Sequence, residues 1–177
     1  LDRFLDVGAN FGYFSVLASG IVGTSGSVVS IEASPEVMPM LKRNTAGLTN
    51  VNIVETAVGD KKGYIDFFCT PDFVNSGVSE SPFLADKGTK ISLPIDRLDN
   101  VLRHLHGSIE SVSFVKIDVQ GDELAVLNGF KDHISNETRM NLIVEWAPAW
   151  MRAAGYDPSQ MLPLLGQLGF NKFLIVD

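Results

Sequence analysis

The segment Asp6-Val7-Gly8-Ala9-Asn10-Phe11-Gly12 decides the fold, because it joins a short apolar strand at residues 4–7 to a helix. The helix is indicated by apolar residues at the i, i+3, i+4 and i+7 spacing, namely Phe14, Leu17, Ala18 and Ile21. A tight, glycine-containing turn from strand to helix is the opening unit of an alternating α/β chain. We therefore expect the alternation to continue along the sequence.

The alternation recurs on both sides of an irregular middle section. Residues 27–31 predict a second strand, Ser34-Pro35 predicts the start of a second helix, and residues 51–58 predict a third strand. The remaining apolar runs predict helices at 98–105, 123–130 and 157–168 and strands at 112–119, 142–144 and 173–176. Apolar strands alternating with helices predict an α/β fold with a doubly wound, mostly parallel sheet and helices on both faces.

The middle section, residues 63–95, departs from this pattern. Residues 64–69 and 91–95 predict short extra strands, and residues 71–88 are rich in Pro, Gly, Ser and Asp. A loop of that length inside a compact domain is usually functional. We expect a short β insertion here, with the loop acting as a lid or binding loop.

The composition fits one domain over residues 1–177. The chain has 177 residues, 45% of them hydrophobic, and a formal net charge of −7. No uncharged apolar stretch approaches the roughly 18 residues of a membrane-spanning helix, and the acidic balance argues against nucleic acid as a partner. The single cysteine, Cys69, excludes an internal disulfide and fits a reducing compartment, so a cytoplasmic location is expected.

Both ends of the chain lie in apolar runs. The sequence begins with Leu1 and stops at Asp177, so we expect a flanking element to be missing at one or both ends. The oligomeric state is left open by the sequence.

Four predicted strands carry an acidic residue at or near the carboxyl end. These residues are Asp6, Glu32, Asp118 and Glu145. Because parallel strands end at one edge of the sheet, and ligands of open α/β sheets bind at that edge, the four acids should converge on one site. The ligand that they predict is polar and hydroxylated rather than polyanionic.

The turn after the first strand narrows the choice of ligand. Asn10 stands where a dinucleotide-binding turn has its second glycine, and Asp6 would repel a pyrophosphate. An acid before the turn suits a ligand with an ammonium or sulfonium group. Glu32 is placed to accept hydrogen bonds from both hydroxyls of a ribose. Together these features fit S-adenosylmethionine.

Five segments resemble the FkbM-type methyltransferases, in the right order and over nearly the whole chain. The segment Asp6 to Ser15 is similar to the first motif of that family, and Ile31-Glu32-Ala33-Ser34-Pro35 to the second. The other three similar segments are Thr56-Ala57-Val58-Gly59-Asp60, Leu93-Pro94-Ile95-Asp96-Arg97-Leu98 and Lys116-Ile117-Asp118-Val119-Gln120-Gly121-Asp122-Glu123.

The resemblance implies a class I methyltransferase fold that uses S-adenosylmethionine, typically to methylate a hydroxyl of a sugar, a glycan or a small natural product. It implies that Glu32 holds the ribose with Ala33 beside it, and that Ala57 and Val58 lie by the adenine. The methionine end would be lined by the residues of the first turn, namely Asp6, Gly8, Ala9, Asn10 and Phe11.

Two positions depart from the family pattern. Gln120 stands where the family usually has Glu, and Asp122 stands where it usually has a small residue. If that Glu acts as a base or ligand, Gln120 would weaken catalysis or change the substrate. Asp122 would be favoured at a helix start by the helix dipole, so a capping role is an alternative.

Methylation of a hydroxyl requires a base, because the proton leaves as the new bond forms. Asp118 is the first candidate and Glu145 the second, since both should project into the crevice. The competing interpretation is that Asp118 orients the cofactor or caps a helix and that Glu145 is structural. No spacing of His, Asp or Glu predicts a metal site.

Two other classes of protein compete with the methyltransferase. A non-catalytic relative that serves as a binding or scaffold module is favoured by Gln120, and it would show weak cofactor binding and no turnover. A nicotinamide-dependent dehydrogenase is disfavoured by Asp6 and by Asn10 in place of the second glycine, and the absence of NAD binding would exclude it.

Overall fold

The computed structural model describes residues 3–83, 88–106, 112–134 and 140–175. In chain order its elements are β1 (Arg3–Val7), α1 (Tyr13–Val22), β2 (Ser27–Glu32), α2 (Met38–Asn44), β3 (Val51–Glu55), β4 (Ala57–Gly59), β5 (Gly63–Cys69), β6 (Thr89–Arg97), α3 (Leu98–His106), β7 (Phe114–Ile117), α4 (Glu123–Phe130), β8 (Asn141–Val144), α5 (Pro148–Ala153), a 3₁₀ turn (Pro158–Gln160) and α6 (Met161–Gln167).

The central sheet confirms the predicted α/β architecture. Within the described residues it has five strands in the order β3-β2-β1-β7-β8, and every neighbouring pair is parallel. The chain runs outward from β1 to β3 on one side and from β7 to β8 on the other. The strand order therefore switches between β1 and β7, and the crevice at their carboxyl ends is where such sheets bind ligands.

The core explains why the strands are continuously apolar. Leu5, Val29, Val115 and Ile117 of the central strands are at most 1% exposed. They belong to one hydrophobic cluster with Leu124, Leu127 and Phe130 of α4 and Met161 of α6. Each such side chain stabilises the fold by roughly 1.5–3 kcal/mol, so the core holds the carboxyl ends of β1 and β7 in fixed positions.

The predicted β insertion is present and is larger than expected. The described residues of β4, β5 and β6 form a second sheet in the order β4-β6-β5, with β5 and β6 antiparallel over residues 63–69 and 89–95. The prediction of one strand over residues 51–58 was wrong, because the chain changes partner at Thr56. Residues before it pair with β2, and residues after it pair with β6.

Three further predictions need correction. The second helix starts at Met38 rather than after Pro35, since residues 35–37 form turns and no side-chain hydrogen bond from Ser34 or any other described residue caps the helix. The helix α5 was missed, since it is a short segment that carries Pro148 in its first turn. Residues 173–175 form no strand and are exposed, while residue 176 lies outside the described residues.

No helix among the described residues is long and apolar enough to cross a membrane.

Candidate functional site

A cavity of about 220 Å³ opens at the carboxyl edge of the central sheet, where the strand order switches. Its walls come from the turn after β1, the end of β2, the start of the insertion, the segment 73–78 and the segment 116–122. The predicted crevice and the observed cavity are therefore the same place.

The turn after β1 depends on Gly8. Its φ of 74° lies in the left-handed region, and a Cβ added there would stand 1.8 Å from the Asp118 carbonyl oxygen. Asn10 also has a positive φ, 49°, a conformation that asparagine tolerates better than most residues. Asn10 thus takes a left-handed backbone at the position where a dinucleotide-binding turn has glycine, and its Oδ1 accepts a 2.7 Å hydrogen bond from the Phe11 N–H.

Glu32 is held firmly at the end of β2. Its Oε1 accepts hydrogen bonds from the N–H groups of Ala33 and Ser34 at 2.9 and 2.7 Å, and its Oε2 accepts one from Asn10 N–H at 2.8 Å. The side chain lines the cavity although the residue is only 7% exposed. Burial raises the pKa of the Glu32 carboxyl, and the three backbone hydrogen bonds oppose that rise.

This arrangement limits what Glu32 can offer a ligand. A carboxylate has about four acceptor positions, and three are used by the backbone. One position on Oε2 is left for a ligand hydroxyl. Bonding to both hydroxyls of a ribose therefore requires the Asn10 contact to open.

An apolar wall lies next to Glu32. Ala57 and Val58 of β4 are 5% and 8% exposed, and both line the cavity together with Ala33 and Ile31. A flat aromatic ring such as adenine is the ligand group that an apolar wall of this kind favours. The positions of Ala57 and Val58 are thus compatible with their predicted role.

Asp6 lies in a different place from the other predicted cofactor residues. It is fully buried and is not among the residues that line the cavity. Its Oδ2 accepts a 2.6 Å hydrogen bond from the Ser15 hydroxyl, and its Oδ1 lies 3.4 Å from the ammonium of Lys116. Direct contact of Asp6 with a cofactor stays a prediction, and its position favours a supporting role through Lys116.

Lys116 connects the two central strand ends. Its Nζ donates to the Gly8 carbonyl oxygen at 2.6 Å and lies 3.7 Å from Asp118 Oδ2. The residue is 5% exposed, so the ammonium does not extend into solvent. A buried cation of this kind is stable because Asp6 and Asp118 neutralise it.

Asp118 and Glu145 are brought together, as the strand-end pattern predicts. The side-chain amide of Gln120 donates to Asp118 Oδ1 at 2.9 Å and to Glu145 Oε2 at 3.4 Å. Asp118 and Gln120 line the cavity, whereas Glu145 lies behind Gln120 and does not. Burial, followed by repulsion from Asp118, raises the pKa of Glu145 to about 7.

Glu123 is an organising residue that sequence reasoning missed. Its fully buried carboxylate accepts hydrogen bonds from the N–H groups of Val119 and Gly121, both at 3.1 Å. These bonds fix the turn that carries Gln120, whose φ of 57° is in the left-handed region. In the sequence, Gly-Asp-Glu at the start of a helix indicated only helix capping. It gave no indication that Glu123 bonds to the turn before the helix.

The segment 73–78 forms the outer wall of the cavity, and it belongs to the loop predicted as a lid. Phe73, Val74, Ser76 and Val78 line the cavity, and the Phe73 ring meets Phe11 edge-on with centroids 6.4 Å apart. Phe73 has a φ of 60°. Residues 84–87 of the predicted lid lie outside the described residues.

Most of the predicted site residues therefore share one cavity. Those that line it are Gly8, Ala9, Asn10, Phe11, Glu32, Ala33, Ala57, Val58 and Asp118. Asp6 and Glu145 reach it through Lys116 and Gln120, respectively. Within the described part of the chain, no three His, Cys, Asp or Glu side chains are grouped so as to hold a metal ion.

Comparison with known families identifies one that spans this whole arrangement. The family described as "Methyltransferase FkbM domain" matches residues 6–172. The match begins at the strand that carries Asp6 and includes both sheets and the cavity.

Individual relatives agree with that match to different extents. Methyltransferase sdnD of Sordaria araneosa is 26% identical over 94% of this chain and 73% of its own length. Protein-L-isoaspartate O-methyltransferase 1 of Archaeoglobus fulgidus is 41% identical over 33% of this chain. The chain spans only 27% of the length of that relative and 31% of the corresponding enzyme of Methanococcus maripaludis.

A solved structure supports the fold. Fibrillarin of Aeropyrum pernix, crystallised with natively bound S-adenosyl-L-methionine, superposes with a TM-score of 0.52 at 16% identity. The superposition covers 96% of this chain and 57% of the fibrillarin chain. This similarity concerns the arrangement of strands and helices.

Proposed function

The chain belongs to the FkbM methyltransferase family, and on that basis we propose that it transfers the methyl group of S-adenosylmethionine to a hydroxyl oxygen. The acceptor in this proposal is a sugar, a glycan or a small natural product. The observation that carries the proposal is the pair of carboxylates, Asp118 and Glu145, bridged by Gln120 at the switch point of the sheet.

The residues along the cavity suit S-adenosylmethionine. Glu32 offers one free acceptor position to a ribose hydroxyl, and Ala57 and Val58 offer an apolar wall to the adenine. The turn from Gly8 to Phe11 also lines the cavity and would hold the methionine part. When bound, the cofactor would supply an electrophilic methyl group on sulfur.

Glu145 has the properties required of a general base. Because the pKa of Glu145 is about 7, a large fraction of this carboxyl is deprotonated at neutral pH. The carboxylate is also basic enough at that pKa to accept a proton during the reaction. In the proposed reaction the acceptor oxygen bonds to the methyl carbon, the carbon–sulfur bond breaks, and the hydroxyl proton passes to a carboxylate of the Asp118–Glu145 pair.

Asp118 and Gln120 complete the arrangement. Asp118 lines the cavity and can orient the acceptor hydroxyl, while the neutral amide of Gln120 keeps the two carboxylates at a fixed separation. Lys116 on the other side of Asp118 offsets part of the negative charge. These residues position the acceptor, and positioning supplies much of the rate of a direct displacement.

Isothermal titration calorimetry tests the proposal at the binding step. S-adenosylmethionine and its demethylated product are titrated into the purified chain, with NAD as the control ligand. We expect binding of the first two and none of NAD. An acceptor screen over hydroxylated glycans and metabolites then measures methyl transfer, and binding without any turnover would favour a scaffold function.

The scaffold alternative rests on Gln120, which lacks the charge of the usual Glu. The contacts of Gln120 weaken that alternative, since its amide contacts two carboxylates that can each take a proton. Replacing Gln120 by Glu would place three acidic groups together. If the variant Gln120→Glu gains methyl transfer that the natural chain lacks, the scaffold function is the correct one.

A further inference from the structure

A second cavity lies beside the first on the side of the insertion. It is open to solvent, measures about 620 Å³ and is lined by residues of the segments 78–82 and 153–156 together with Lys61, Ile65 and Asp122. Val78 and Asp122 line both cavities. The two cavities therefore adjoin at these two residues.

Two residues that line this second cavity each carry a buried polar atom without a hydrogen-bond partner in the described part of the chain. Asp122 and Ser79 are each 8% exposed, and both line the cavity. Among the described residues, no group forms a hydrogen bond with Asp122 Oδ2 or with Ser79 Oγ. Leaving such a group unpaired costs roughly 1–3 kcal/mol, so an arrangement that keeps two of them at one cavity indicates a ligand that supplies the missing bonds.

The remaining polar groups define what such a ligand must be. Tyr156 brings a hydroxyl that already interacts with the Asp122 carboxyl, and Lys61 brings an ammonium to the same cavity. Burial raises the pKa of Asp122 to about 6, with a further contribution from Glu123 and Asp60, so the carboxylate repels anions and gains from a hydrogen-bond donor. Lys61 disfavours a cationic ligand. A neutral group with several hydroxyls satisfies donors and acceptors alike.

We propose that the second cavity binds a hydroxyl-rich part of the acceptor, a sugar or another polyol, and that the side chains of Asp122 and Ser79 turn toward its hydroxyls and hydrogen-bond to them. The inference rests on the proposed function, because the methylated hydroxyl would lie in the first cavity beside Asp118. Asp122 then acts as a specificity residue, reading a hydroxyl other than the one that receives the methyl group.

Nuclear magnetic resonance on the ¹⁵N-labelled chain tests the two cavities separately. S-adenosylhomocysteine is titrated to probe the first cavity through the amides of residues 8–12 and 33–34. Methyl α-D-glucopyranoside and myo-inositol are titrated to probe the second through the amides of residues 79–81 and 153–156. The variants are Asp122→Asn and Tyr156→Phe, and Asp60→Asn is the matched control, since Asp60 is an exposed acid near Asp122 that does not line the cavity.

We expect at least one polyol to shift the amides of the second cavity, and Asp122→Asn to weaken that binding at least tenfold. Asp60→Asn should leave it within twofold, and neither Tyr156→Phe nor Asp60→Asn should change the shifts caused by S-adenosylhomocysteine, since neither residue lines the first cavity. If Asp122→Asn does not fold, Tyr156→Phe carries the same comparison with a smaller expected loss.

Three results would overturn the inference, and they separate it from the proposed function. The inference is contradicted if the polyols shift only amides of the first cavity, or shift no amides at all. If S-adenosylhomocysteine still binds in that case, the proposed function is unaffected. Equal weakening by Asp122→Asn and Asp60→Asn would show that charge rather than a hydrogen bond is responsible. Polyol binding without any binding of S-adenosylhomocysteine would remove the acceptor role, because the proposed function itself would have failed.

Discussion

On one side of the first cavity Glu32 accepts three backbone hydrogen bonds, whereas on the other side Asp118 and Glu145 share the single side-chain amide of Gln120. Both sides present carboxylates at strand ends of the same sheet. They differ in what satisfies the charge. We call them the backbone-bonded side and the carboxylate-pair side.

This difference in hydrogen bonding suits one side of the cavity to binding the cofactor and the other side to moving a proton. On the backbone-bonded side burial raises the pKa of Glu32, but three backbone hydrogen bonds oppose that rise and hold the group in place as an acceptor. On the carboxylate-pair side two acids face each other, and the pKa of Glu145 rises to about 7. A group that changes its protonation near neutral pH can move a proton during a reaction.

Residues with a strained backbone are found around the whole first cavity rather than on one of its two sides. Among the described residues, Asn10, Phe73 and Gln120 are the non-glycine positions with positive φ, and all three line the first cavity. Such conformations cost about 1–3 kcal/mol each and persist where the surroundings enforce them. The strain marks the whole cavity, so it identifies the site without distinguishing its two sides.

The largest effect is expected on the carboxylate-pair side. Glu145→Gln removes the carboxyl whose pKa is about 7 and should lower kcat by about 10²–10⁴-fold if that carboxyl is the base. Cofactor affinity, measured by calorimetry, should stay unchanged. Glu36→Gln is the matched control, since Glu36 is an exposed acid outside the cavity lining.

The pH profile of the natural enzyme gives a second measurement of the same group. Because Glu145 must be deprotonated to accept a proton, kcat should rise with pH through an apparent pKa of about 7 and level off above it. Asp118→Asn removes the repulsion and should shift this limb to lower pH. A rising limb that remains in Glu145→Gln would assign the base to another group.

Gly8→Ala should disrupt the close packing of the turn after β1 against Asp118, where the two sides of the cavity meet. A Cβ at Gly8 would stand 1.8 Å from the Asp118 carbonyl oxygen, and the φ of 74° strains any side chain. We expect the free energy of unfolding to fall by about 4 kcal/mol, combining the strain with the clash. Urea unfolding measures this loss, and cofactor binding should be lost with it.

Gly47→Ala separates the cost of the backbone strain from the cost of the steric clash. Gly47 has a φ of 85°, but a Cβ there meets nothing within 4 Å. It should lose only the roughly 1–2 kcal/mol of a left-handed residue. Equal losses at both positions would show that the approach of Gly8 to Asp118 is not what requires glycine.

The sequence predicts the backbone-bonded side better than the carboxylate-pair side. Alternating strands and helices, with acids at strand ends, predict the switch-point cavity and most of its lining, because period and burial are local properties. The pairing of Asp6 with Lys116, the bridge from Gln120 to Glu145 and the second cavity beside Asp122 arise from contacts distant in sequence. The partner change at Thr56 escaped prediction for the same reason, since both halves of residues 51–58 are apolar strands.

Asp122→Asn removes a buried carboxylate whose charged form the fold stabilises poorly, so it compares this carboxylate with those of the first cavity. The pKa of Asp122 is about 6 in the folded chain, against an ordinary value of 3.8. A raised carboxyl pKa means that stability is lost as pH rises from about 3.8 to about 6, and the loss amounts to about 3 kcal/mol above that range. The Asn variant lacks this loss.

The stability difference between Asp122→Asn and the natural chain should therefore depend on pH. Between pH 4.5 and pH 7.5 it should change by about 2 kcal/mol in favour of the variant. Urea unfolding at the two pH values measures it, with Asp60→Asn as the control that should show a much smaller trend, since Asp60 makes only a minor contribution to the raised pKa of Asp122. A constant difference would mean that Asp122 has an ordinary pKa and that the second cavity holds no poorly satisfied carboxylate.

Of the two sides, the backbone-bonded side should show the smaller effect on function, and Glu32→Ala should weaken S-adenosylmethionine binding by about 2 kcal/mol, or roughly 30-fold. The loss is limited because one acceptor position of Glu32 is free for a ribose hydroxyl while the other three hold backbone N–H groups. Glu55→Ala is the matched control, since Glu55 lies opposite Glu32 on the neighbouring strand and pairs with Lys42 at the surface. Calorimetry should show full affinity in Glu55→Ala, and equal affinity in both variants would remove Glu32 from the ribose site and leave its carboxylate a purely structural role in the turn.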